Sequence, residues 1–342
     1  MLHYLYIFIF AMLFSVALTP AMKWLSVKWK VLDLPGRRKI HEKPIPLMGG
    51  EAIICSIILA LAIFEPANQQ LWVVILFGLL FALFGFIDDG VARMRARYKI
   101  VIHLIFSFAF IYFTGIHLHF FRFAWINWIL TAGFITFMAN SMNMLDGMDA
   151  LVGGVSFFAA GFFGILAWNS GQPDLIILAA ALMGAALGFL NFNFSPASIF
   201  LGEAGSTMLG YFMAILAVKI NIYELWNIAL GLGLARLQFI SFIVPLIILG
   251  IPIFDTYFVF VSRFTHHRRF SQAGKDHSHH RIHMMGVSKR TTVLSLYALQ
   301  LILGAIALVM AQSNLQQFLA LLSIVGIFFV GFTAFLVRVR VY

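Results

Sequence analysis

Apolar runs of membrane-spanning length recur from one end of the chain to the other, and they constrain the fold more than any other feature. The sequence is 62% hydrophobic and 11% charged, whereas a soluble domain is nearer to half apolar and one quarter charged. A soluble fold of this size could not bury so much apolar surface. We therefore predict an all-α, polytopic membrane bundle of about 11 transmembrane helices, forming a single integral domain over residues 1–342.

The predicted spans follow the apolar runs. They are residues 4–22, 48–64, 71–87, 100–115, 125–139, 150–168, 175–192, 204–219, 237–262, 291–311 and 316–337. Residues 223–236 are assigned either to an interfacial helix or to part of a further span. A signal peptide would require basic residues before the first apolar run, and no Lys or Arg precedes it. We therefore expect the first run to be a retained span. The single Cys55 excludes an intrachain disulfide framework.

Basic residues concentrate in alternate loops, which predicts the orientation. With a periplasmic N-terminus and a cytoplasmic C-terminus, 20 of the 23 Lys and Arg residues face the cytoplasm. The net charge of +10 could suggest a nucleic-acid partner. Because the charge lies in loops between apolar runs, we expect the bilayer as partner and no nucleic acid.

Carboxylates gather on the same predicted side of the membrane. Charged groups at membrane depth are costly and usually functional, and carboxylates from several segments need a cation to offset their repulsion. We therefore predict a site for Mg2+-dependent phosphoryl transfer at the cytoplasmic face. The acidic residues at the ends of apolar helices are Asp88, Asp89, Asp146, Asp149, Glu203 and Asp255.

The motif GFIDDG (85–90) ends the third predicted span. Adjacent residues point about 100° apart on a helix, so Asp88 and Asp89 cannot both face one ligand in the same way. One can bind a phosphate or a metal while the other holds a Lys or caps the next turn. Two solvated carboxylates at a helix end are the alternative.

The motif NSMNMLDGMDALVGG (140–154) carries two pairs of polar residues. Asn143 lies three residues after Asn140, and Asp149 three after Asp146, so each pair shares a helical face. Four such groups between two apolar spans suit hydrated Mg2+, which prefers oxygen ligands. A polar loop with a capping Asp is the alternative.

The motif FNFSPASIFLGEAGS (192–206) offers a metal ligand and a base-binding pair. Its GEAGS part predicts a tight loop into the eighth span, whose N-terminus would face a phosphate. Glu203 can be a metal ligand there, and Asn193 and Phe200 supply an amide and a ring suited to a pyrimidine. A simple glycine turn is the alternative.

The run HHRRFSQAGKDHSHHRIH (266–283) holds six of the eleven His residues. A zinc site would favour Cys ligands, and no Cys is near. His beside Arg and Lys is better suited to a pyrophosphate, with Arg making bidentate contacts. A basic loop that binds lipid headgroups is the alternative.

Taken together and in order, these motifs resemble the polyprenyl-phosphate N-acetylhexosamine-1-phosphate transferases. The matching segments are LPGRRKIHEKPIPLMGG, GFIDDG, NSMNMLDGMDAL, SPASIFLGEAGS, PIFDT and DHSHHRI. Each motif is weak alone, but six in order with matching topology are a specific signal. The His run is more similar to the H-x-HH of the GlcNAc-1-phosphate branch than to the HHH-x-E of the muramoyl-pentapeptide branch.

The resemblance implies a multi-pass enzyme of the bacterial inner membrane whose site faces the cytoplasm. It would transfer N-acetylhexosamine-1-phosphate from a UDP-N-acetylhexosamine to undecaprenyl phosphate, with GlcNAc-1-phosphate as the first candidate for the transferred group. UMP would be released, and the reaction would initiate an envelope polysaccharide. The implied cofactor is Mg2+, with Mn2+ as an alternative, and a homodimer is left open.

The resemblance also implies roles for individual residues. These are catalysis by Asp88, Asp89, Asp146 and Asp149; metal binding by Asn143 and Glu203; nucleotide binding by Lys43, Asn193 and Phe200; and pyrophosphate or sugar binding by His277, His279, His280 and Arg281.

The chain departs from the family pattern at three positions. Glu203 stands where the family usually has Asp, Ala150 where it has Gly, and Gly90 where Arg is common. None removes a carboxylate, so we expect an active enzyme. The alternative from another class is a transporter or flippase of a lipid or anionic substrate, which would need acidic groups near the midplane. A non-catalytic lipid-binding homologue is a second alternative.

Overall fold

Helices account for nearly all of the regular structure in the computed structural model, which describes residues 1–35, 44–92, 94–234, 236, 238–268, 274–339 and 341. The helices are α1 (Leu2–Trp29), α2 (Gly49–Phe64), α3 (Gln69–Ile87), α4 (Ala96–Thr114), α5 (Ala124–Leu145), α6 (Leu151–Asn169), α7 (Pro173–Asn193), α8 (Gly202–Lys219), α9 (Trp226–Gly231), α10 (Gln238–Ser241), α11 (Ile243–Ile248), α12 (Gly250–Thr265), α13 (Ser278–Met284), α14 (Lys289–Ala311) and α15 (Leu315–Val337).

Four short elements join these helices. A π-helical turn, Asp88–Ala92, continues α3, and a 3-10 turn, Tyr223–Leu225, precedes α9. Strands β1 (Leu32–Asp33) and β2 (Ile45–Pro46) pair antiparallel after α1.

Seven helices in the described part of the chain are long and apolar enough to cross a membrane, or up to nine if each of two bent pairs is one span. The prediction of a helical, multi-pass membrane protein is therefore confirmed. The count of eleven is not confirmed: α2 has only 16 residues, and α5 is not among the helices that are apolar enough to qualify. The orientation stays a prediction.

Two predicted regions differ from straight spans. The single span expected over residues 237–262 is bent by 82° between Gln238–Ile248 and Gly250–Thr265. Pro252 lies in the first turn of α12, where its missing N–H is tolerated, so the bend falls where a new helix can begin. Residues 223–236 contain the short helix α9. The segment Tyr223–Gly231 is bent by 47° from α8, and the two can be counted together as one bent span.

Helix α8 is the central element of the bundle. Every residue of α8 except Glu203 and Lys219 is buried, against α2, α3 and α5 among others. Tyr211 stacks on Phe81, with ring centroids 5.0 Å apart. Its hydroxyl donates to the carbonyl of Val74 at 3.0 Å. Because lipid is as apolar as a side chain, such packing and hydrogen bonding, not apolar burial, hold membrane helices together.

Candidate active site

A cavity of about 570 Å3 opens where the ends of α3, α5 and α7 meet the beginning of α8. The N-terminal ends of α13 and α14 complete its wall through His280 and Lys289. Acidic side chains dominate the charge of this cavity. The carboxylates that line it are Asp33, Asp89, Asp146, Asp149 and Glu203.

Close packing of α2 against α8 brings the cavity walls together. A Cβ added at Gly50 would lie 2.2 Å from the backbone nitrogen of Gly205, so only glycine permits this contact. The Gly50 N–H donates to the carbonyl of Leu201 at 2.9 Å. The Phe200 N–H donates to the carbonyl of Pro46 at 2.8 Å. These bonds join the segment before α8 to β2 and to the start of α2.

Asp89 binds the N-terminus of α8. Its Oδ2 accepts from the Glu203 N–H at 2.7 Å and from the Ala204 N–H at 3.5 Å. Gly202 starts the helix with φ of +75°, a conformation that favours glycine. The GEAGS segment is therefore the first helical turn instead of the predicted loop, and a carboxylate occupies the end expected to face a phosphate.

Asp88 faces away from Asp89, as the spacing along a helix predicts. Its Oδ1 accepts from the Met94 N–H at 2.5 Å, and its Oδ2 lies 2.6 Å from the ammonium of Lys99. The same ammonium lies 2.5 Å from Glu203 Oε2. Asp88 is buried and is not among the residues that line the cavity. Lys99 thus connects one carboxylate behind the cavity to another within it.

The loop after α5 supplies two further carboxylates. Because α5 ends at Leu145, Asp146 and Asp149 lie in this loop and not on the shared helical face expected from their spacing. Burial, followed by the charges of Asp89, Asp149 and Asp33, raises the pKa of Asp146 to about 8. The Asp149 carboxylate accepts from the Ala197 N–H at 3.2 Å.

Ala150 closes this loop in the left-handed conformation, with φ of 66°. This is the position where the family has glycine, and a residue with a Cβ pays about 1–2 kcal/mol to adopt it. The Ala150 N–H donates to Asn193 Oδ1 at 2.8 Å, and its carbonyl accepts from the hydroxyl of Tyr297. The strain is thus offset by backbone hydrogen bonds that bind the loop to α7 and α14.

The donor set at this cavity fits a hydrated Mg2+ ion. Asn143 and Glu203 line it beside Asp146, whose pKa is raised first by burial and then by the neighbouring carboxylates. Among the described residues, no three His, Cys, Asp or Glu side chains are grouped to bind one ion. A metal here would therefore have one or two protein ligands and keep its waters or bind substrate phosphate, as Mg2+ usually does.

Asn193 and Phe200 line the cavity, but Asn193 also has a structural role. Its amide donates to the Ile199 carbonyl at 2.8 Å, while its oxygen accepts from Ala150. It therefore joins the 146–150 loop to the segment before α8. Lys43, the third residue expected to bind nucleotide, lies outside the described residues.

The His-rich segment is anchored to α12 by Asp255. Its carboxylate accepts from Ser278 through the backbone N–H at 2.7 Å and the hydroxyl at 2.5 Å. The His277 Nδ1 lies 2.7 Å from the second oxygen. Burial alone would lower the pKa of His277, but the charge and hydrogen bond of Asp255 outweigh it and raise that pKa. His277 is thus an anchor and does not line the cavity.

His279 and His280 lie between this anchor and the 146–150 loop. His279 is fully buried, and neither of its ring nitrogens has a hydrogen-bond partner in the described part of the chain. A Cβ added at Gly147 would lie 2.3 Å from His279 Nε2. His280 lines the cavity, and burial followed by the charge of His277 lowers its pKa to about 4. It is a neutral imidazole at pH 7.

Arg281 points away from the cavity. Its guanidinium donates to the carbonyls of Leu336 and Val339 at 3.1 and 2.8 Å and lies over the ring of Phe258. It joins α13 to α12 and to the end of α15. The structure therefore does not bring the expected pyrophosphate ligand Arg281 to the cavity.

Eight of the expected site residues line one cavity, which the six motifs alone could only suggest. They are Asp89, Asn143, Asp146, Asp149, Asn193, Phe200, Glu203 and His280. Sequence reasoning assigned no role to Asp33, Lys99 or Lys289, although all three are charged residues in the predicted cytoplasmic loops. That position was the available signal.

The apolar helices make this a multi-pass membrane protein. Its acidic cavity, at the ends of those helices, is the candidate active site. The model of Glycosyl transferase family 4 matches residues 71–221. A Bacillus subtilis (strain 168) protein named probable undecaprenyl-phosphate N-acetylglucosaminyl 1-phosphate transferase is 31% identical over 94% of this chain and 88% of its own length. The chain belongs to this family of polyprenyl-phosphate sugar-1-phosphate transferases, which confirms the family predicted from the motifs.

A second group of relatives has another named substrate. A Bacillus licheniformis protein named phospho-N-acetylmuramoyl-pentapeptide-transferase is 29% identical over 70% of this chain and 80% of its own length. The Bacillus subtilis protein of the same name is 27% identical over 88% of this chain and 94% of its own length.

Proposed function

We propose that this protein transfers N-acetylhexosamine-1-phosphate, with GlcNAc-1-phosphate as the first candidate, from a UDP-sugar to undecaprenyl phosphate. UMP is the second product, and the reaction initiates a cell-envelope polysaccharide at the cytoplasmic face of the bacterial inner membrane. The observation that carries the proposal is the convergence of Asp89, Asn143, Asp146 and Glu203 on one cavity. The relative named as a GlcNAc-1-phosphate transferase supports the choice of sugar.

The reaction exchanges one phosphorus–oxygen bond for another. An oxygen of the lipid phosphate attacks the sugar-bearing phosphorus of the UDP-sugar, and the bond from that phosphorus to the bridging oxygen breaks. The electron pair leaves with UMP, and the lipid carries the sugar on a diphosphate. Such transfers depend mainly on positioning and charge stabilisation.

In this proposal Asp89 receives the proton of the lipid phosphate. Its Oδ2 accepts from the N-terminus of α8, which orients the carboxylate, and Asp89 lines the cavity. A phosphate monoester loses its second proton near pH 6, so the monoanion, the minor form at pH 7, is the form whose proton Asp89 would accept. The deprotonated lipid phosphate is the stronger nucleophile.

A divalent cation and the neutral imidazole complete the site. Asn143 and Glu203, beside Asp146, would hold Mg2+, which would neutralise the diphosphate and polarise the phosphorus under attack. Mn2+ is an alternative ion for the same oxygen ligands. His280 can donate a hydrogen bond to the sugar or to a phosphate oxygen without adding charge.

The test is lipid-dependent UMP release by the purified protein with Mg2+. The donors are UDP-GlcNAc, UDP-GalNAc and UDP-MurNAc-pentapeptide, the last because of the second group of relatives. We expect release with UDP-GlcNAc only when undecaprenyl phosphate is present, and at least 100-fold less in Asp89→Asn. Asp174→Asn, at the Lys219 end of the bundle, is the matched control and should match wild type. Absence of UMP release from every donor would refute the proposal and leave the transporter or lipid-binding alternatives.

A further inference from the structure

Lys289 is a cation in a cavity whose other charged groups are acidic. In the described part of the chain, it is the one Lys or Arg among the residues that line the cavity. The other basic side chain there is His280, which is neutral at pH 7 because burial lowers its pKa. Five carboxylates line the same space. The described lining of this cavity therefore offers an entering anion a single positive charge.

The ammonium of Lys289 has no partner in the described part of the chain. Lys289 is half-buried, yet among the described residues no hydrogen bond or ion pair involves it, in contrast to Lys99, which holds Asp88 and Glu203. Ordering a long side chain beside a cavity without a partner costs conformational entropy. A ligand is the group that would complete its bonding.

The position of Lys289 is fixed by its neighbours. It is the first residue of α14, where Ser288 caps the helix by accepting from the Thr291 N–H at 3.1 Å. The next residue, Arg290, lies over the ring of Phe194 at 5.7 Å. The beginning of α14 thus stands against the segment that continues to Phe200 at the nucleotide side of the proposed site. It lines the wall with Ser195 and Ala197.

We propose that Lys289 binds the phosphate of the uridine nucleotide and holds UMP as it leaves the reacting phosphorus. This inference rests on the proposed function, because it assigns a residue to the leaving group of that reaction. The bond to the bridging oxygen breaks towards UMP, so negative charge grows on the phosphate nearest the uridine. An ammonium there stabilises that charge more in the transition state than in the ground state.

Inhibition by UMP and by uridine separates the phosphate contact from the rest of the nucleotide. A hydrogen bond to a charged group contributes about 1.5–3 kcal/mol, so we expect Lys289→Gln to raise the inhibition constant of UMP about tenfold to 100-fold. The inhibition constant of uridine should stay within about twofold. Lys289→Arg, which keeps the charge, should restore most of the affinity. Lys28→Gln removes the same charge from the exposed end of α1, where Lys28 lies over Trp24, and should leave both constants unchanged.

A binding measurement without turnover makes the test independent of activity. UMP should raise the melting temperature of the wild-type protein and of Lys289→Arg, and should do so less in Lys289→Gln. The role of Lys289 would be overturned if UMP raised the melting temperature equally in Lys289→Gln and wild type, or if Lys289→Gln lost affinity equally for UMP and uridine. Either result would leave the proposed function intact. A wild-type protein that neither releases nor binds UMP would overturn the proposed function together with this inference.

Discussion

The ammonium of Lys99 lies 2.5 Å from Glu203 Oε2, so the residue that departs from the family pattern is bound to α4. The same ammonium lies 2.6 Å from Asp88. A single cation therefore holds the end of α3, the beginning of α4 and the first turn of α8 at one point. The Asp residue that the family usually has would be one methylene shorter.

Removing the Lys99 charge should destabilise the protein. Both carboxylates are largely buried, with side-chain exposures of 7% for Asp88 and 10% for Glu203. Leaving them without their cation should lower the free energy of unfolding by about 3 kcal/mol in Lys99→Gln. Denaturation in detergent measures this. In the Glu203→Gln background the same change should cost less, and an equal cost in both backgrounds would show that the two side chains are not coupled.

The length of the side chain at position 203 should affect metal dependence more than the reaction itself. Glu203→Asp retains the charge but draws the carboxylate back from Lys99, so we expect activity within about tenfold of wild type and an altered Mg2+ requirement. Glu203→Gln removes the charge and should reduce turnover about 100-fold or more. Mg2+ titrations of UMP release measure both. If Glu203→Gln has the wild-type turnover and Mg2+ requirement, Glu203 is not a metal ligand.

Gly147 should not tolerate a side chain. A Cβ there would lie 2.3 Å from His279 Nε2 and 3.2 Å from His280 Nε2. Because His279 is fully buried, it cannot move aside, and Gly147→Ala should cost about 1–3 kcal/mol. It should also raise the KM for the UDP-sugar by displacing His280. Gly133→Ala on α5, where nothing lies within 4 Å of the added Cβ, is the control. Equal melting temperatures for the two variants would contradict this packing.

The His277–Asp255 pair should make stability depend on pH. The pKa of His277 is raised in the folded protein, so the pair contributes fully below the usual histidine pKa and loses its charge attraction as pH rises through the raised value. The stability difference between wild type and His277→Gln should therefore shrink from pH 6 towards alkaline pH. The raised pKa of Asp146 also lowers stability as pH rises, so the comparison is repeated in Asp146→Asn. A difference independent of pH would mean that His277 is neutral throughout.

Sequence reasoning identified the membrane bundle and most of the cavity because both depend on local patterns. Apolar runs mark the helices, and polar residues at their predicted cytoplasmic ends, such as Asp89 and Glu203, must meet if those ends share one side. The partners of each side chain depend on helix rotation and packing, which no motif encodes. Arg281 therefore turns to the end of α15. The expectation that one Asp of GFIDDG holds a Lys is met by Asp88, but the motif did not identify Lys99 as that partner. Pro252 marks where the 82° bend before Gly250 can fall, but no motif gives its angle.

The central claim is transfer of the sugar together with its phosphate, and the fate of the phosphorus tests it most directly. The donor is UDP-GlcNAc labelled with 32P at the phosphate that bears the sugar, incubated with undecaprenyl phosphate, Mg2+ and the purified protein. We expect the label in the lipid phase and unlabelled UMP in the aqueous phase, in equal amounts. Labelled UDP in the aqueous phase would show transfer of the sugar alone and would contradict the account.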